Sequence, residues 1–332
     1  KICYTVYMNT EHSLLVLVLP EHRVPGEAQK RLQDHVGGKT VMIITDKSQL
    51  ESLLDKIEIV GGEVPPALIS RMPKLKWYQS WYAGADWLQK FPETRNHPFI
   101  LTNSSGIHGV QMSEHLFGML ISWYRRFPAA FAAQKKHEWL TFTYPDMDVL
   151  AGKTMLIVGY GTIGKRVARI AKAFEMGIIG VKRSPATERD PYADEIDVYT
   201  SLHQRLGEAD IVVNILPLTA ETRGFYNRDV FKTMKRDALF VNIGRGGSVN
   251  EDDLVEALKS GLIKGALLDV TAEEPLPAAS PLWDLPNLML TSHFSGFHPQ
   301  YDELAFQVFL DNLDRLNRGE PLKNVIDKEL GY

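Results

Sequence analysis

The sequence has almost no cysteine. Cys3 is the single cysteine among 332 residues, which excludes an internal disulfide and any zinc site built from several thiolates. A chain with this cysteine content suits a reducing compartment, and we expect the cytoplasm. No metal site is predicted.

The sequence also lacks an excess of positive charge. Lys and Arg number 37 against 41 Asp and Glu, so the net charge is 37 − 41 = −4. Such a chain has no overall basic field to gather nucleic acid or an anionic membrane surface. The apolar run 14–19 is far shorter than a membrane span, and the polar residues Glu11 and His12 before it do not resemble a secretory leader. We therefore expect neither nucleic-acid nor membrane partners.

Two series of short apolar runs, each alternating with helical patterns, make up most of the chain. The first series is 14–19, 40–45, 58–60, 76–81 and 100–103; the second is 154–158, 177–181, 211–216, 238–243, 264–270 and 288–292. Alternation of this kind favours parallel sheets covered by helices, and the chain length favours two domains. A long apolar helical stretch, about 110–133, separates the series, and a last helical pattern at about 301–317 is predicted to return to the first domain. The predicted fold is α/β, with two doubly wound parallel-sheet domains: 1–116 with 299–332, and 117–298 inserted between them.

A glycine motif opens the second series. Gly159, Gly161 and Gly164 have the spacing G-x-G-x-x-G, directly after the run 154–158 and directly before an apolar helical pattern. In that context the motif indicates a dinucleotide site: a tight turn, a close backbone approach to pyrophosphate, and close packing of helix on strand. The amides of Thr162 and Ile163 are expected to face the phosphates at the positive end of the helix. A glycine turn without a ligand is the alternative.

The next predicted strand ends in Lys182, Arg183 and Ser184. In dinucleotide-binding folds an acidic residue near this point, roughly 20 positions beyond the glycines, bonds the ribose hydroxyls and selects NAD. Here the offset is 182 − 164 = 18 and the residue is a cation. Cationic side chains neutralise a 2′-phosphate, so we expect NADP, with NAD possible but less favoured. A solvated strand end is the alternative.

Arg245, Glu274 and His293 each follow a predicted strand of the second series. Ligands of open parallel sheets bind at the carboxyl ends of the strands, so these side chains are candidates for one site. Taken singly, each has an ordinary alternative: a solvated turn cation, a loop charge before Pro275, and a hydrogen-bonded loop histidine.

The chain resembles the D-isomer-specific 2-hydroxyacid dehydrogenase family, which includes glyoxylate/hydroxypyruvate reductases. The resemblance runs from about Trp77 to Asn317, with spacings of 274 − 245 = 29 and 293 − 274 = 19. The motifs that carry it are the glycine loop, NILPLTAETRGFYN (214–227), NIGRGG (242–247), LDV (268–270), EEP (273–275) and SHFSG (292–296). Together they are far more specific than any one of them.

The resemblance implies three catalytic roles. Arg245 binds the substrate carboxylate and keto oxygen, His293 donates and accepts the proton, and Glu274 pairs with His293. The chemistry is consistent, because hydride addition to a 2-keto acid builds negative charge on oxygen, which a guanidinium stabilises and an imidazolium protonates. A neighbouring carboxylate favours the charged imidazole.

The resemblance also implies contacts with cofactor and substrate. Asp269 and the backbone carbonyl of Ile243 would bind the nicotinamide carboxamide. The alternative for Asp269 is a cap at the end of a strand. The other expected positions are Leu216, Pro217 and Thr222 along the cofactor, and the amides of Ala83, Gly84 and Ala85 at the substrate carboxylate.

Tyr82 is bulky for this loop, and further aromatic residues are either pocket walls or core: Trp81, Trp139, Phe297, His298 and Tyr301. Family members often have Ala where this chain has Ser113. His108 and His115 are expected to be structural.

These observations predict an NADP-dependent 2-keto acid reductase, reversible as a D-2-hydroxyacid dehydrogenase, and by resemblance a homodimer. Two alternatives share the fold: a dinucleotide-sensing, corepressor-like binding protein, and a formate or phosphite dehydrogenase. The sequence does not name the keto acid or the physiological direction.

Overall fold

The computed structural model describes residues 14–185 and 189–332, which form two compact units. One unit consists of the described residues of Lys1–Ile107 and of His298–Tyr332, and the other of the described residues of His108–Phe297. Cys3, Glu11 and His12 lie outside the described residues. Among the helices of the described part of the chain, none combines the length and apolar character needed to cross a membrane.

The regular elements alternate between strand and helix along most of the chain. The strands are β1 (Leu14–Val18), β2 (Thr40–Ile44), β3 (Ile57–Gly62), β4 (Trp77–Ser80), β5 (Ile100–Thr102), β6 (Thr154–Val158), β7 (Gly177–Lys182), β8 (Glu195–Val198), β9 (Ile211–Asn214), β10 (Leu239–Asn242), β11 (Gly265–Leu268) and β12 (Leu288–Leu290). The helices are α1 (Ala28–His35), α2 (Pro66–Ile69), α3 (Pro92–Asn96), α4 (Gly109–Tyr124), α5 (Phe127–Lys135), α6 (Thr162–Ala173), α7 (Leu202–Leu206), α8 (Arg228–Thr233), α9 (Glu251–Lys259) and α10 (Tyr301–Asn317).

The first unit is built on a parallel sheet with the order β2-β1-β3-β4-β5. This is the flavodoxin-like order of doubly wound folds. β1 is buried along its whole length, with Val16 in one hydrophobic cluster and Leu15 and Leu17 in the cluster on the opposite face. Burial on both faces explains why the strand is a continuous apolar run. The final helix, α10, packs on this sheet as expected, with the Phe309 ring 5.2 Å from that of Trp77.

The second unit is built on a parallel sheet with the order β12-β11-β10-β9-β6-β7-β8. Outward from β6, one half reads β6-β7-β8 and the other β9-β10-β11-β12, which is the Rossmann arrangement with one added edge strand. β6 lies at the switch point between the halves, where such sheets bind nucleotides. The two sheets confirm the predicted fold class.

The sequence predicted six strands for the second unit, whereas its described residues form a sheet of seven. The missing strand is β8, whose side chains are exposed or half-buried. It lies at a sheet edge and carries Glu195 and Asp197, both of which pair with Arg205. An edge strand of this kind needs no apolar run, so hydrophobicity did not reveal it.

The apolar stretch 110–133 was predicted as a single helical pattern, but it forms two helices. α4 ends at Tyr124, and Arg126 adopts a left-handed conformation with φ of 57°. Pro128, in the first turn of α5, favours a new helix start because proline lacks an N–H and has a fixed φ. α4 buries several faces as expected, whereas α5 leaves Phe131 58% exposed.

The two units divide the chain close to the positions given by the sequence. The structural division lies at Ile107/His108 and Phe297/His298, whereas the sequence pattern placed it at 116/117 and 298/299. The sequence boundary falls inside α4, whose Phe117 ring stacks on that of Phe174, the residue directly after α6 of the second unit, with 5.2 Å between the ring centroids.

Candidate active site

The glycine loop between β6 and α6 has the geometry that its spacing suggests. Gly159 has φ of 104°, and a Cβ on it would lie 2.8 Å from the carbonyl oxygen of Ile215. A Cβ on Gly164 would lie 2.8 Å from the Gly159 oxygen, so α6 packs directly on the strand. A Cβ on Gly161 would meet nothing within 4 Å. Two of the glycines are therefore needed for packing, and Gly161 borders open space.

The amides of Thr162 and Ile163 begin α6. They occupy its first two positions, where an α-helix offers the N–H groups no carbonyl partner. α6 is 12 residues long, so its N-terminus also carries the positive end of a helix dipole. These amides suit an anion at the glycine loop.

The basic segment Lys182, Arg183 and Ser184 lies beside this loop. The carbonyl oxygen of Val181 accepts hydrogen bonds from the amides of Gly159 and Tyr160, at 3.0 and 2.9 Å. Lys182 is therefore one residue away from direct contact with the glycine loop. It is half-buried at the end of β7, while Arg183 and Ser184 are exposed.

Close backbone contacts connect the loops that follow β9, β10 and β11. A Cβ on Gly244 would lie 2.9 Å from the Leu216 oxygen, and a Cβ on Gly246 would lie 1.9 Å from the Thr271 oxygen. Thr222 stiffens the first of these loops, because its hydroxyl donates to the Pro217 carbonyl at 2.6 Å. The expected cofactor positions Leu216, Pro217 and Thr222 thus lie next to the loop that carries Arg245.

Arg245 stands at the start of a short 3-10 turn, Gly246–Ser248, where buried polar side chains hold its backbone. Its carbonyl accepts hydrogen bonds from Asn242 Nδ2 at 3.1 Å and from Ser248 Oγ at 2.6 Å. Asn214 Nδ2 in turn donates to Asn242 Oδ1 and to Ser248 Oγ, at 2.9 and 2.8 Å. The half-buried guanidinium donates to the Gly244 carbonyl at 2.8 Å.

His108 lies within electrostatic range of Arg245. Burial, together with the positive charge of that guanidinium, lowers the pKa of His108 to about 4. His108 is therefore neutral near pH 7, in keeping with the structural role expected for it.

Glu274 and His293 are brought together, with Glu274 Oε2 2.6 Å from His293 Nδ1. The other carboxylate oxygen, Oε1, accepts from the Thr271 amide at 3.0 Å, which fixes the orientation of the carboxylate. Both side chains are partly exposed, so the imidazole is accessible from outside the protein. This is the arrangement of a proton-transfer histidine oriented by a carboxylate.

Asp269 is buried and engaged with the loop that carries His293. Its Oδ1 accepts from Thr291 Oγ1 at 2.6 Å and from the Phe294 amide at 3.2 Å, and its Oδ2 accepts from the Ser295 amide at 3.1 Å. These contacts are those of a strand-end cap, the alternative that the sequence left open. Ile243, the other expected carboxamide contact, is also buried, and its amide donates to the Asn214 carbonyl at 3.2 Å.

The expected substrate loop, Ala83–Ala85, belongs to the first unit. Asn103 Nδ2 donates to the Ala83 carbonyl at 2.6 Å, and Ala85 is buried while Ala83 and Gly84 are half-buried. The Tyr82 hydroxyl donates to Glu63, a carboxylate that also pairs with Arg23. The loop is thus held by side-chain hydrogen bonds.

The aromatic residues considered as pocket walls have different environments. Trp81 is core, with its indole N–H donating to Asp302 at 2.9 Å, and Tyr301 donates to the Trp81 carbonyl at 3.1 Å. Trp139 and Phe297 are largely exposed, and His298 is half-buried. Ser113, the departure from the family pattern, accepts from Arg166 Nε at 3.2 Å and so connects α4 to α6.

Several residues that hold the site together were not identified from the sequence. Asn214 and Asn242 end neighbouring strands in direct register, and Ser248 completes their network. The signal available was a polar residue ending each of two otherwise apolar strands. Within the described residues, no group of three or more His, Cys, Asp or Glu side chains is placed to hold a metal ion.

Comparison with known proteins identifies the family. The profile of the NAD binding domain of D-isomer specific 2-hydroxyacid dehydrogenases matches residues 117–295. D-3-phosphoglycerate dehydrogenase of Methanocaldococcus jannaschii is 30% identical over 294 residues, covering 86% of this chain and 54% of that protein. The chain belongs to the D-isomer specific 2-hydroxyacid dehydrogenase family.

Other members of the family match over most of their length. Glyoxylate/hydroxypyruvate reductase A of Citrobacter koseri is 31% identical over 279 residues, covering 81% of this chain and 85% of that one. A crystal structure of the NADPH-dependent glyoxylate/hydroxypyruvate reductase of Sinorhizobium meliloti, in complex with NADP and sulfate, is 31% identical with a TM-score of 0.80. That match covers 97% of this chain and 100% of the other. The chain thus spans about half of the phosphoglycerate dehydrogenase and the whole of the reductase.

Proposed function

We propose that this dehydrogenase transfers a hydride between NADP(H) and a 2-keto acid/D-2-hydroxy acid pair, acting as a 2-keto acid reductase. The observation that carries the proposal is the contact of 2.6 Å between His293 and Glu274, at the carboxyl edge of a Rossmann sheet. The Sinorhizobium meliloti structure supports it, because that reductase is NADPH-dependent and resembles this chain over its whole length.

The residues of the second unit fit a bound NADP. Gly161 leaves open space for a close backbone approach, and the first amides of α6 suit the pyrophosphate. Lys182, Arg183 and Ser184 would hold the 2′-phosphate through charge-assisted hydrogen bonds. When bound, the reduced nicotinamide supplies the hydride. We therefore assign the cofactor to the unit His108–Phe297 and the substrate-carboxylate loop, Ala83–Ala85, to the other unit.

The protein's own part in the reaction is proton transfer and charge stabilisation. As the carbonyl carbon of the keto acid gains the hydride, its oxygen gains a proton from Nε2 of His293. Nδ1–H of the same ring stays hydrogen-bonded to Glu274, which keeps the imidazole in the tautomer that frees Nε2. Arg245 binds the substrate carboxylate and stabilises the charge that develops on the carbonyl oxygen. In the reverse direction neutral His293 accepts the hydroxyl proton.

A second copy of the chain is the proposed partner. α5 and the residues after it expose several large aromatic side chains, including Phe131 at 58%, Trp139 at 96% and Tyr144 at 99%. Exposed aromatic residues close together in the chain favour a protein interface. This supports a homodimer formed through the second unit.

The single cysteine, Cys3, supports a cytoplasmic location.

The test is turnover of a panel of 2-keto acids of increasing side-chain size, followed by the absorbance of reduced nicotinamide with NADPH or NADH. We expect consumption of NADPH with at least one of the keto acids, faster than that of NADH, and the size profile then identifies the substrate. Tight binding of NADPH without turnover of any keto acid would overturn the proposal in favour of a nucleotide-binding role. Turnover of formate or phosphite in place of keto acids would also overturn it.

A further inference from the structure

The backbone at His293 adopts a conformation that other residues must hold. Its φ is 54°, in the left-handed region that non-glycine residues rarely adopt. Its amide donates to the Asp269 carbonyl at 2.7 Å. Loss of the contacts around this turn would let the backbone relax and would move the imidazole.

Asp269 fixes the turn from inside the protein. Its buried carboxylate accepts from the amides of Phe294 and Ser295, the two residues after His293. It also accepts from the hydroxyl of Thr291, two residues before His293, at 2.6 Å. The carboxylate therefore holds the chain on both sides of the imidazole.

Thr291 connects Asp269 to His115 of α4. A threonine hydroxyl has one hydrogen, and the short contact with Asp269 uses it. The Thr291 oxygen is then an acceptor for His115 Nε2, which lies 3.0 Å away. His115 must therefore carry a hydrogen on Nε2. Burial lowers the pKa of His115, opposed by the charge of Asp269, so the neutral Nε2–H form is the one present near pH 7.

His115 contacts the same loop a second time. Its ring meets Phe294 edge-on, with centroids 5.2 Å apart and an interplanar angle of 87°. His115 thus touches residues on both sides of His293 from a helix whose neighbouring residues, including Leu116, are buried. α4 is in turn bonded to α6 through Arg166 and Ser113.

We propose that His115 is a positioning residue for the reaction: through Thr291, Asp269 and Phe294 it holds loop 291–295 so that His293 presents its imidazole to the substrate. The role of His115 in catalysis rests on the proposed function, whereas its role in holding loop 291–295 does not. Nothing in this assignment requires His115 to touch substrate or cofactor.

The test compares substitutions that break the hydrogen bond with substitutions that keep it. His115→Leu and Thr291→Val break it, whereas His115→Gln retains a donor and Thr291→Ser retains the hydroxyl. We expect the first pair to lower kcat for keto-acid reduction by about 5- to 30-fold, with KM and the affinity for NADPH nearly unchanged. The second pair should retain most of the activity. Combining His115→Leu with Thr291→Val should cost less than the sum of the two single changes, because both remove the contact between His115 and Thr291.

A second measurement keeps the proposal testable whatever the substrate is. Ring ¹⁵N chemical shifts of the NADPH-bound protein should show His115 as the Nε2–H tautomer, and His115→Leu should change the titration curve of the His293 ring. Full activity of both His115→Leu and Thr291→Val, or a His293 titration unaffected by His115→Leu, would overturn the proposal. Absence of keto-acid turnover by the unaltered protein would overturn the proposed function, while the ring titration would still decide whether His115 positions His293.

Discussion

At the scale of single residues, we propose that cofactor choice depends on the charge at the end of β7. Lys182 is one residue beyond the strand contact with the glycine loop, and Arg183 and Ser184 follow it in exposed positions. Two adjacent cations beside a nucleotide site favour a phosphate and give no advantage to a ribose hydroxyl. NADP differs from NAD only by its 2′-phosphate. Changing these residues should therefore alter the binding of NADP and leave the binding of NAD nearly unchanged.

Changing Lys182→Asp together with Arg183→Ser should therefore convert the cofactor preference. We expect KM for NADPH to rise by about 10- to 100-fold, the effect of losing one or two charged hydrogen bonds, while KM for NADH changes little. Steady-state kinetics with both cofactors measures this, with Lys232→Asp, at an exposed position of α8, as the control for altered charge. Equal changes with NADPH and NADH would show that the basic pair does not read the 2′-phosphate.

The residues proposed to perform the chemistry were easier to single out from the sequence than the residues that hold them in place. Arg245, Glu274 and His293 were singled out because their side-chain chemistry suits a keto acid and they follow strands. Asn214, Asn242 and Thr291 act through hydrogen bonds to other residues, and such bonds depend on register and loop conformation that no short motif specifies. Asp269 illustrates the same limit, since its residue type fits both a ligand contact and a cap.

At the scale of elements, the junction of β6 and α6 assigns different tasks to its glycines. A Cβ on Gly164 would approach both the Gly159 oxygen and Ile157 Cγ2, at 2.8 and 3.1 Å, whereas a Cβ on Gly161 would meet no protein atom within 4 Å. One glycine therefore serves packing of helix on strand. The other leaves space on the side where the nucleotide is proposed to bind.

Gly164→Ala should affect the stability of the fold, and Gly161→Ala should affect the binding of NADPH. We expect Gly164→Ala to lower the free energy of unfolding by about 1–3 kcal/mol, the usual cost of overpacking. Gly161→Ala should leave unfolding nearly unchanged and weaken NADPH binding. Chemical denaturation and fluorescence titration with NADPH measure the two effects. A stable Gly164→Ala protein, or a Gly161→Ala protein with unaltered affinity for NADPH, would contradict these assignments.

Elements buried on both faces were predicted well, whereas the edge strand β8, which carries charged side chains, was not. β1 and β6 are continuous apolar runs because both of their faces are covered. β8 escaped prediction because its charged side chains reach solvent and pair with Arg205. The break between α4 and α5 was missed because hydrophobicity continues across it, while the left-handed turn at Arg126 is a backbone feature.

At the scale of the whole molecule, the two sheets follow from the alternation of strand and helix. Parallel strands need crossover connections, so the alternating pattern leaves few arrangements to consider. The return of α10 to the first unit was predictable because its pattern lies beyond the last strand of the second. The structure places the first division at Ile107/His108, just before α4, whereas the sequence pattern placed it inside that helix, since α4 is apolar on several sides and hydrophobicity alone does not say which unit it joins.

The proposed dimer is a prediction at this scale. Sedimentation should show twice the mass of one chain, and Phe131→Glu should shift the protein towards the monomer, because it places a charge on the exposed face of α5. Met42→Glu, at an exposed apolar position of the other unit, is the matched control and should leave the dimer intact. A monomeric unaltered protein, or dissociation by both substitutions alike, would contradict the proposed interface.

Proton transfer by His293 is tested most directly by the pH dependence of the chemical step, measured for the unaltered protein and for His293→Gln. Because we propose that His293 supplies the proton for reduction, the rate of reduction should fall as pH rises, and the rate of hydroxy-acid oxidation should rise, when both are measured between about pH 5 and 9. Because the pKa of His108 is lowered to about 4, that residue is neutral over most of this range and is not expected to produce the change. We expect His293→Gln to reduce keto acid at least about 100-fold more slowly with unaltered NADPH affinity. A reduction rate that is flat with pH while chemistry is rate-limiting, or a fully active His293→Gln protein, would contradict the account.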